Sequence, residues 1–389
     1  MGALWTAVFV VAFGTNVPTP LLLVYRDTLG LSPTELTGAF GVYAAGLVPA
    51  LLLAGPASDR FGRRPVVIPF VLLSVATSLL FLGAGSSVLL LYVCRFLQGA
   101  VSGVVFSVGT AWLGELIGEP GRAARLTTAA LGGGWAIGPL VSGLLGQWAP
   151  APAVLPYLVH VTLMAVGLAL LPRVPETLPP AARRAGALIN MGVPAGARLP
   201  FLVVVLPIAV GVFTFPSTAV TVLPLLLTPS MPQLAVAITG LVAGVTLLTG
   251  VFAQPLGRRL GAVRSGPVGL VIGAVGLGLS LVGVATGVWV LLIPVALLLG
   301  VAYGLCLAAG LTMVAQLATP TARGALTGTF YACAYLGFGV PLLLSVLGGA
   351  DGFARPLAEL AVVVAVAGVL LGLPAARRLV TPPPTDAPG

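Results

Sequence analysis

The densest group of charged side chains in this sequence lies at residues 55–65, which read Gly-Pro-Ala-Ser-Asp-Arg-Phe-Gly-Arg-Arg-Pro. A tight turn between two helices needs small or flexible residues, and Gly55 and Gly62 meet that need. The charges available at this turn belong to Asp59, Arg60, Arg63 and Arg64. Such a group can form ion pairs, or it can only fix the orientation of the turn.

Arg95 is the only arginine within a long apolar stretch. Placing a guanidinium at the centre of a bilayer costs about 2.5–3.5 kcal/mol on insertion scales, so we expect it to face the protein interior and not lipid. Gln98 follows one helical turn later on nearly the same side. Arg95 could contact a ligand or tune proton exchange, or it could be a structural arginine that snorkels or bonds to backbone carbonyls.

Groups that could exchange a proton are scarce in the apolar stretches. Asp27 and Glu35 flank the first loop and are the candidate proton sites. Asn16 lies in the middle of the first apolar stretch, where a carboxylate would be a stronger candidate. Desolvation of a carboxyl in a cavity raises its pKa toward neutrality, which is why such a position matters. We interpret His160, in the sixth apolar stretch, as a packed core histidine.

The other side-chain types give no support to catalysis or metal binding. Cys94, Cys306 and Cys333 lie in apolar stretches without CxxC spacing, so we interpret them as packing residues. The sequence contains no H-E-x-x-H motif, His/Asp pair or Cys/His set. We therefore predict no catalytic residues, no metal site and no cofactor.

Composition indicates which elements must position these groups. The chain is 58% hydrophobic and 7% charged, with a mean hydropathy of +1.14, whereas globular domains carry about 25% charged residues. Its 389 residues have room for about twelve membrane-spanning helices. We predict an all-α membrane protein embedded in the lipid bilayer, with helices near 3–25, 33–56, 65–84, 88–114, 124–148, 152–172, 200–227, 232–256, 266–287, 289–317, 322–347 and 354–376.

The arginines are distributed unevenly about these helices. Fifteen of the eighteen fall on one side, while Arg26 and Arg355 fall on the other and Arg95 lies within a helix. Cytoplasmic loops collect basic residues, so we predict that the Asp59 loop and both termini face the cytoplasm, in the cell inner membrane. The net charge of +9 therefore reflects topology and does not indicate nucleic-acid binding.

The longest interruption of the hydrophobic pattern runs from Arg173 to Arg198 and contains four arginines, with Pro175, Pro179 and Pro180 in its first part. We predict an N-terminal six-helix bundle at 1–174, a cytoplasmic linker at 175–199, a C-terminal six-helix bundle at 200–379 and a cytoplasmic tail at 380–389. An internal repeat supports the division, since Gly99, Gly103 and Gly109 match glycines 201 positions later. Arg-Leu-Gly at 259–261 likewise repeats Arg-Phe-Gly at 60–62.

Three segments resemble signatures of the major facilitator superfamily. Residues 55–64 have the form G-x-x-x-D-R-x-G-R-R of its loop between helices two and three, and residues 95–99 resemble its R-x-x-Q-G segment. Residues 134–143 resemble its G-x-x-x-G-P-x-x-G-G segment, with Ser142 replacing a glycine. The resemblance implies two pseudo-symmetric six-helix bundles with a substrate path between them, and the third segment is associated with the drug/proton antiporter branch.

The resemblance also implies roles for individual residues. Asp59 would face the N-terminus of the eleventh helix near Thr321, and Arg63 would pair with Glu115, forming a conformational latch between the halves. The latch as a whole would comprise Gly55, Asp59, Arg60, Gly62, Arg63, Arg64 and Glu115. Small residues about one turn apart would make the fifth helix a packing surface with a bend, at Gly134, Gly138, Pro139 and Gly143.

Substrate contacts are expected on the helices that line the central path in this superfamily. The candidates supply aromatic surface and a few polar anchors: Asn16, Tyr43, Arg95, Gln98, Phe213, Tyr303, Tyr331 and Tyr335. Any of these aromatics could instead be only a core residue. The apolar balance favours an amphiphilic or hydrophobic small molecule over a sugar.

The sequence thus predicts a secondary active transporter that exports such a compound, with the proton as coupling ion and the monomer as functional unit. The alternatives are a proton-independent facilitator or importer of a small metabolite and, more remotely, a transporter-like receptor. A receptor would carry an appended signalling domain, whereas this sequence ends in a short Pro-rich segment.

Overall fold

Twelve long apolar helices make up the part of the chain that the structure describes. The computed structural model describes residues 1–180, 192–227, 230–319, 323–349 and 352–380. The helices, numbered here α1 to α12, are Gly2–Leu29, Pro33–Phe61, Arg63–Phe81, Val88–Ile117, Pro120–Trp148, Leu155–Arg173, Ala195–Leu226, Ala235–Leu260, Ala262–Thr286, Trp289–Leu317, Gly324–Gly348 and Ala354–Gly372. The predicted all-α membrane fold is confirmed, and the predicted helix ends differ from these by about five residues or fewer.

Local sequence signals explain several helix ends. The α2 helix begins with a capping box, in which Ser32 accepts from the backbone N–H of Glu35 and the Glu35 carboxylate accepts from that of Ser32. The α1 helix is divided at Val17, where Pro18 begins its second segment. Because proline lacks an N–H group, the hydrogen-bond ladder changes there.

The two halves repeat the same close helix contacts. A methyl group added to Gly99 would lie 2.0 Å from the Tyr43 carbonyl oxygen, and one added to Gly300 would lie 2.5 Å from that of Thr246. These glycines let α4 approach α2 and α10 approach α8 at backbone distance. Gly99 and Gly103 therefore occupy positions equivalent to Gly300 and Gly304 in two pseudo-symmetric six-helix bundles.

The turns α2–α3 and α8–α9 also correspond. Gly62 and Gly261 have φ of 102° and 78° with ψ of 161° and 151°, a backbone conformation that residues with a Cβ rarely adopt. The repeated Arg-x-Gly sequence therefore marks the same sharp turn in both halves.

The sixth helix ends at Arg173 and the seventh begins at Ala195. The predicted linker begins between them, although α7 starts five residues before the predicted bundle boundary at 200. Residues 181–191 of that linker, the tail beyond residue 380 and Thr321 lie outside the described residues. The division into 1–174, 175–199, 200–379 and 380–389 stays a prediction.

Candidate functional site

A cavity lies between the two halves near the middle of the helices. Its empty volume, including the part open to solvent, is about 450 Å³. Helices α1, α2 and α5 of the first half and α7, α8 and α11 of the second supply its lining. The lining residues are Thr15, Asn16, Phe40, Tyr43, Trp135, Phe213, Pro216, Ser217, Val220, Leu247, Tyr335 and Phe338.

Aromatic rings join the halves around this cavity. The Phe338 ring of α11 stacks on Phe40 of α2 at 5.4 Å between centroids and meets the Tyr43 edge at 5.7 Å. On its other side Phe338 packs against Tyr335 and Phe213, which themselves stack at 4.5 Å. Offset and edge-on rings of this kind add stabilisation beyond their buried area.

The cavity is sealed toward one face of the molecule. We call the face that carries the α2–α3 and α8–α9 turns the arginine-rich face, and its opposite the arginine-poor face. Toward the arginine-poor face, the Thr34 hydroxyl of α2 lies 2.9 Å from the Ser345 hydroxyl of α11. There, too, Gln147 Oε1 of α5 accepts from the first backbone N–H groups of α8, at 3.1 and 3.2 Å. These bonds hold the halves together on the arginine-poor side.

The α5 small-residue series contacts both halves. Methyl groups added to Gly134 and Gly138 would lie 2.4 and 2.2 Å from the Phe9 and Phe13 carbonyl oxygens of α1. One added to Gly143 would lie 2.9 Å from the Cα atom of Gly240 on α8. A methyl group added to Gly240 would in turn lie 2.4 Å from the Pro139 carbonyl oxygen of α5. The helix therefore packs on its own half through two glycines and on the other half at the next turn.

Arg95 is buried behind the cavity wall. Its side chain is 2% exposed, and its Nε donates to the Ala39 carbonyl oxygen at 3.1 Å. Nη1 donates to Gln98 Oε1, and the guanidinium lies over the Tyr43 ring at 4.7 Å from its centroid. Gln98 in turn donates to the Gly14 carbonyl oxygen at 2.7 Å. Arg95 thus packs against Tyr43 from behind and satisfies the Ala39 backbone carbonyl of α2.

The predicted cavity residues divide into two groups. The structure brings Asn16, Tyr43, Phe213 and Tyr335 to the cavity lining. Arg95, Gln98, Tyr303 and Tyr331 are not among the lining residues, because helix rotation places them one layer back. Tyr303, for example, stacks behind Phe213 at 5.9 Å.

Several lining residues escaped the sequence analysis. Phe40 and Phe338 each lie three residues from a candidate that it did select, and Trp135 lies inside the α5 small-residue series. Their helical spacing from Tyr43, Tyr335 and Gly134 is the signal that could have located them.

The α2–α3 turn forms a cluster of ion pairs centred on Arg63. Its Nη1 donates to Asp59 Oδ1 at 2.6 Å, and its Nη2 donates to Glu115 Oε1 on α4 at 2.9 Å. The Arg63 side chain is 13% exposed, whereas that of Asp59 is 56% exposed. Gly55 lies in open space, Arg60 lies over the Phe61 ring, and the backbone N–H of Arg64 is bonded.

Glu176, which the sequence analysis did not select, completes this cluster. Its carboxylate accepts from the first backbone N–H groups of α3, those of Arg63 at 3.1 Å and Arg64 at 2.9 Å. Partial burial favours the neutral carboxyl, but the N–H groups of Leu178, Arg64 and Arg63 outweigh it and lower the pKa of Glu176 from its ordinary value of 4.5. A carboxylate at a helix N-terminus is also favoured by the helix dipole.

Two further contacts bind the same segment to α4. The indole Nε1 of Trp112 donates to the Pro175 carbonyl oxygen at 2.9 Å, and the Thr177 hydroxyl donates to the Glu115 carboxylate. Residues 175–178 are therefore attached to the ion-pair cluster. The feature of the sequence that could have located Glu176 is its position three residues after the end of α6, at the start of the predicted linker.

The candidate proton sites lie at the ends of helices. Asp27 is 70% exposed and accepts from Arg26 Nε at 2.8 Å, while the Glu35 carboxylate is engaged by Ser32. Neither residue lines the cavity. In the part of the chain that the structure describes, no group of three or more His, Cys, Asp and Glu is arranged to hold a metal ion.

Comparison with known proteins agrees with this architecture. The family model of the Major Facilitator Superfamily matches residues 4–260. The multidrug resistance protein MdtL of Escherichia coli O157:H7 is 39% identical over 119 residues, and that of strain K12 / DH10B is 38% identical over the same length. Each match spans 31% of this chain and 30% of the relative.

Solved structures share the fold over nearly the whole chain. A POT family transporter in complex with 5-aminolevulinic acid has a TM-score of 0.76 at 15% identity, covering 98% of this chain and 96% of its own. The human organic anion transporter MFSD10 (TETRAN) has a TM-score of 0.66 at 17% identity, covering 95% and 98%. Since the family model covers most of its length and the fold is the same, this multi-pass membrane protein belongs to the major facilitator superfamily of transporters.

Proposed function

We propose that this transporter exports a small amphiphilic or hydrophobic compound by alternating access, with proton antiport as the driving reaction. The observation that carries the substrate class is the cavity between the halves. Its lining contains six aromatic rings and no charged side chain, with Asn16, Thr15 and Ser217 as sparse polar groups. Such a lining matches an apolar ligand with one or two hydrogen-bonding groups.

The closed side of the cavity supports alternating access. The bonds between Thr34 and Ser345 and between Gln147 and α8 join the halves toward the arginine-poor face. At the opposite face, Asp59 is bonded to Arg63 of its own half and is largely exposed. We infer that the structure represents the state in which the cavity opens toward the arginine-rich face. The positive-inside rule assigns this face to the cytoplasm. Export would then begin with substrate entering from the cytoplasm.

The ion-pair cluster supports a latch in the alternate state. Arg63 holds Asp59 at 2.6 Å, and the positive end of a helix dipole in the other half would attract this carboxylate when the halves close there. Asparagine keeps the shape of Asp59 but removes this charge. We expect Asp59→Asn to weaken the state closed at the arginine-rich face.

The test is uptake of ethidium and of a neutral fluorescent amphiphile into inverted vesicles, with and without an imposed proton gradient. We expect gradient-dependent accumulation that Asp59→Asn lowers by at least about tenfold. Glu359→Gln is the matched control, because it makes the same change in an exposed α12 pair with Arg355 and should stay within about twofold. Accumulation that ignored the gradient would contradict antiport.

A proton-independent facilitator is the second candidate. The observation that favours it is the placement of the carboxylates, since those of the described helices lie toward helix ends and outside the cavity lining. A facilitator would equilibrate both dyes at the same rate with and without the gradient. The same vesicle experiment therefore separates the two candidates.

A further inference from the structure

A second, polar cavity lies inside the first half, away from the substrate cavity's centre. It is bordered by α1, α3, α4 and α6 and has space for about one ordered water molecule. Its polar lining comprises Thr15, Ser74, Thr77, Ser78, Gln98, Ser102 and His160. Polar cavities of this size ordinarily hold water, unlike apolar ones.

His160 presents a free ring nitrogen at this cavity. The residue is 1% exposed, and its Nδ1 lies 2.8 Å from the Ser78 hydroxyl oxygen. Its Nε2 has no hydrogen-bond partner, and a methyl group added to Gly14 would lie only 2.3 Å from it. Because buried polar atoms are almost always bonded, this nitrogen is a position that a water molecule or a proton can satisfy.

The polar cavity and the substrate cavity share one lining residue. Thr15 lines both, and its hydroxyl lies 3.0 Å from that of Ser102. Gln98 lines the polar cavity and accepts from Arg95, which holds the Tyr43 ring that faces the substrate. A charge gained on His160 therefore acts on the same Gln98–Arg95 network that positions Tyr43.

Few other ionisable groups face His160 from the helices packed around it. Helices α1 and α3 present Thr15, Gly14 and hydroxyl groups there, and α4 presents Gln98 with Arg95 and Cys94 beyond it. On α6 itself, Tyr157 lies one turn away and is bonded to Tyr25 of α1 at 3.0 Å. No carboxylate lines this cavity.

We propose that His160 and this polar cavity bind the proton that is exchanged for substrate; the proposal rests on the antiport proposed above. Imidazole Nε2 accepts a proton from hydronium, which leaves as water, and becomes imidazolium; it returns the proton to water as hydronium when substrate occupies the neighbouring cavity. An unperturbed imidazole changes its charge between about pH 5 and pH 8, which makes this side chain a chemically suitable proton carrier. The imidazolium charge near Gln98 would weaken the contact that orients Arg95 and Tyr43.

The chain contains one histidine, which permits a direct measurement. Protein carrying ¹⁵N-labelled histidine and a purification tag free of histidine is placed in lipid nanodiscs and titrated by NMR from about pH 5 to pH 9. We expect the ring to titrate in this interval, and we expect saturating ethidium to move the midpoint, because linkage between two ligands is reciprocal. A ring whose signals stay constant over the interval, with and without ethidium, would overturn the proposal.

Two variants show whether the cavity determines this titration. Ser78→Ala removes the partner of Nδ1 and should move the midpoint. Thr162→Ala, on the exposed face of α6 where the hydroxyl bonds only to the Leu158 carbonyl oxygen, should leave it in place. Equal midpoints in all three proteins would show that the cavity does not control the proton and would count against the proposal.

Transport separates this proposal from the antiport on which it rests. We expect His160→Gln to lose gradient-driven accumulation of ethidium by about tenfold or more while retaining exchange of dye without a gradient. Gradient-driven accumulation that survives in His160→Gln would overturn the proton site and leave antiport intact. A ring that titrates in a wild-type protein whose transport ignores the gradient would instead refute antiport and leave the proton site standing. If His160→Gln does not fold, Ser78→Ala in both assays decides the matter.

Discussion

The two halves of this transporter share their packing but not their chemistry. Position 95 in α4 is a buried arginine bonded to Gln98, whereas the matched positions 201 residues later are Ala296 and Leu299, also buried. Gly99 and Gly300, which follow directly, make the same backbone contacts in both halves. The comparison teaches that the glycines maintain the helix packing. The Arg95–Gln98 pair can therefore be present in one half and absent from the other while the packing stays the same.

The two sharp turns differ in the same way. Gly62 and Gly261 adopt similar backbone conformations, yet Asp59 is joined to Arg63 in the first turn, while the position matching Arg63 is Ala262. The second turn keeps the geometry and lacks the carboxylate. We therefore expect charge-dependent control of the arginine-rich face to come from the first half.

The largest effect should come from moving the buried arginine to the other half. Ala296→Arg places an unpaired charge at a position that is 1% exposed, where insertion alone costs about 2.5–3.5 kcal/mol. We expect little folded protein after purification, measured by size-exclusion chromatography and thermal unfolding. Ala296→Met is the control for size without charge. Wild-type yield and melting temperature in Ala296→Arg would show that the second half accepts the same chemistry.

A smaller effect is expected from opening the ion-pair cluster. Arg63→Ala removes the donor to Asp59 and Glu115 and should lower gradient-driven dye transport by about tenfold. Arg259→Ala, at the exposed end of α8, removes an arginine beside the second turn and should stay within about twofold. Equal losses in the two variants would mean that both turns contribute through their positive charge alone.

The smallest effect concerns the attachment of residues 175–178. Glu176→Gln removes the anion at the α3 N-terminus and should cost about 0.3–1 kcal/mol, detected as a lower apparent melting temperature. Because the folded-state pKa of Glu176 is lowered from 4.5, its contribution is present above that pH and is lost as pH falls through the folded pKa. The difference between wild type and variant should therefore vanish in acid.

Glu119→Gln provides the comparison for that measurement. Glu119 precedes α5 and makes no side-chain capping bond there, so its replacement should leave a smaller change in melting temperature. A Glu176→Gln difference that persists unchanged below pH 4.5 would contradict the carboxylate's role.

The sequence located the turns and the close helix contacts because each depends on a local property. Gly62 is required where φ is positive, and Gly99 is required where a side chain would meet a backbone oxygen. The same local reasoning placed Arg95 in the interior. It did not place Arg95 behind Tyr43, because the rotation of α4 against α2 depends on packing along the whole helix.

Contacts between distant segments could not be predicted from the sequence either, because they also depend on how whole helices pack. Glu176 reaches Arg63 across 113 positions, and Thr34 reaches Ser345 across 311. Phe338 was missed because an aromatic residue in an apolar helix has the same sequence signature whether it faces lipid, core or cavity.

By itself, the sequence determined that this chain is a helical membrane protein of two related halves. A chain with 7% charged residues cannot cover a water-exposed surface, and repeated glycines permit only certain helix approaches. Only the tertiary structure decided which polar groups face one another, leaving Nε2 of His160 unpaired and enclosing it beside Thr15. The physical reason is that burial and hydrogen bonding depend on the relative rotation of packed helices, which no single segment encodes.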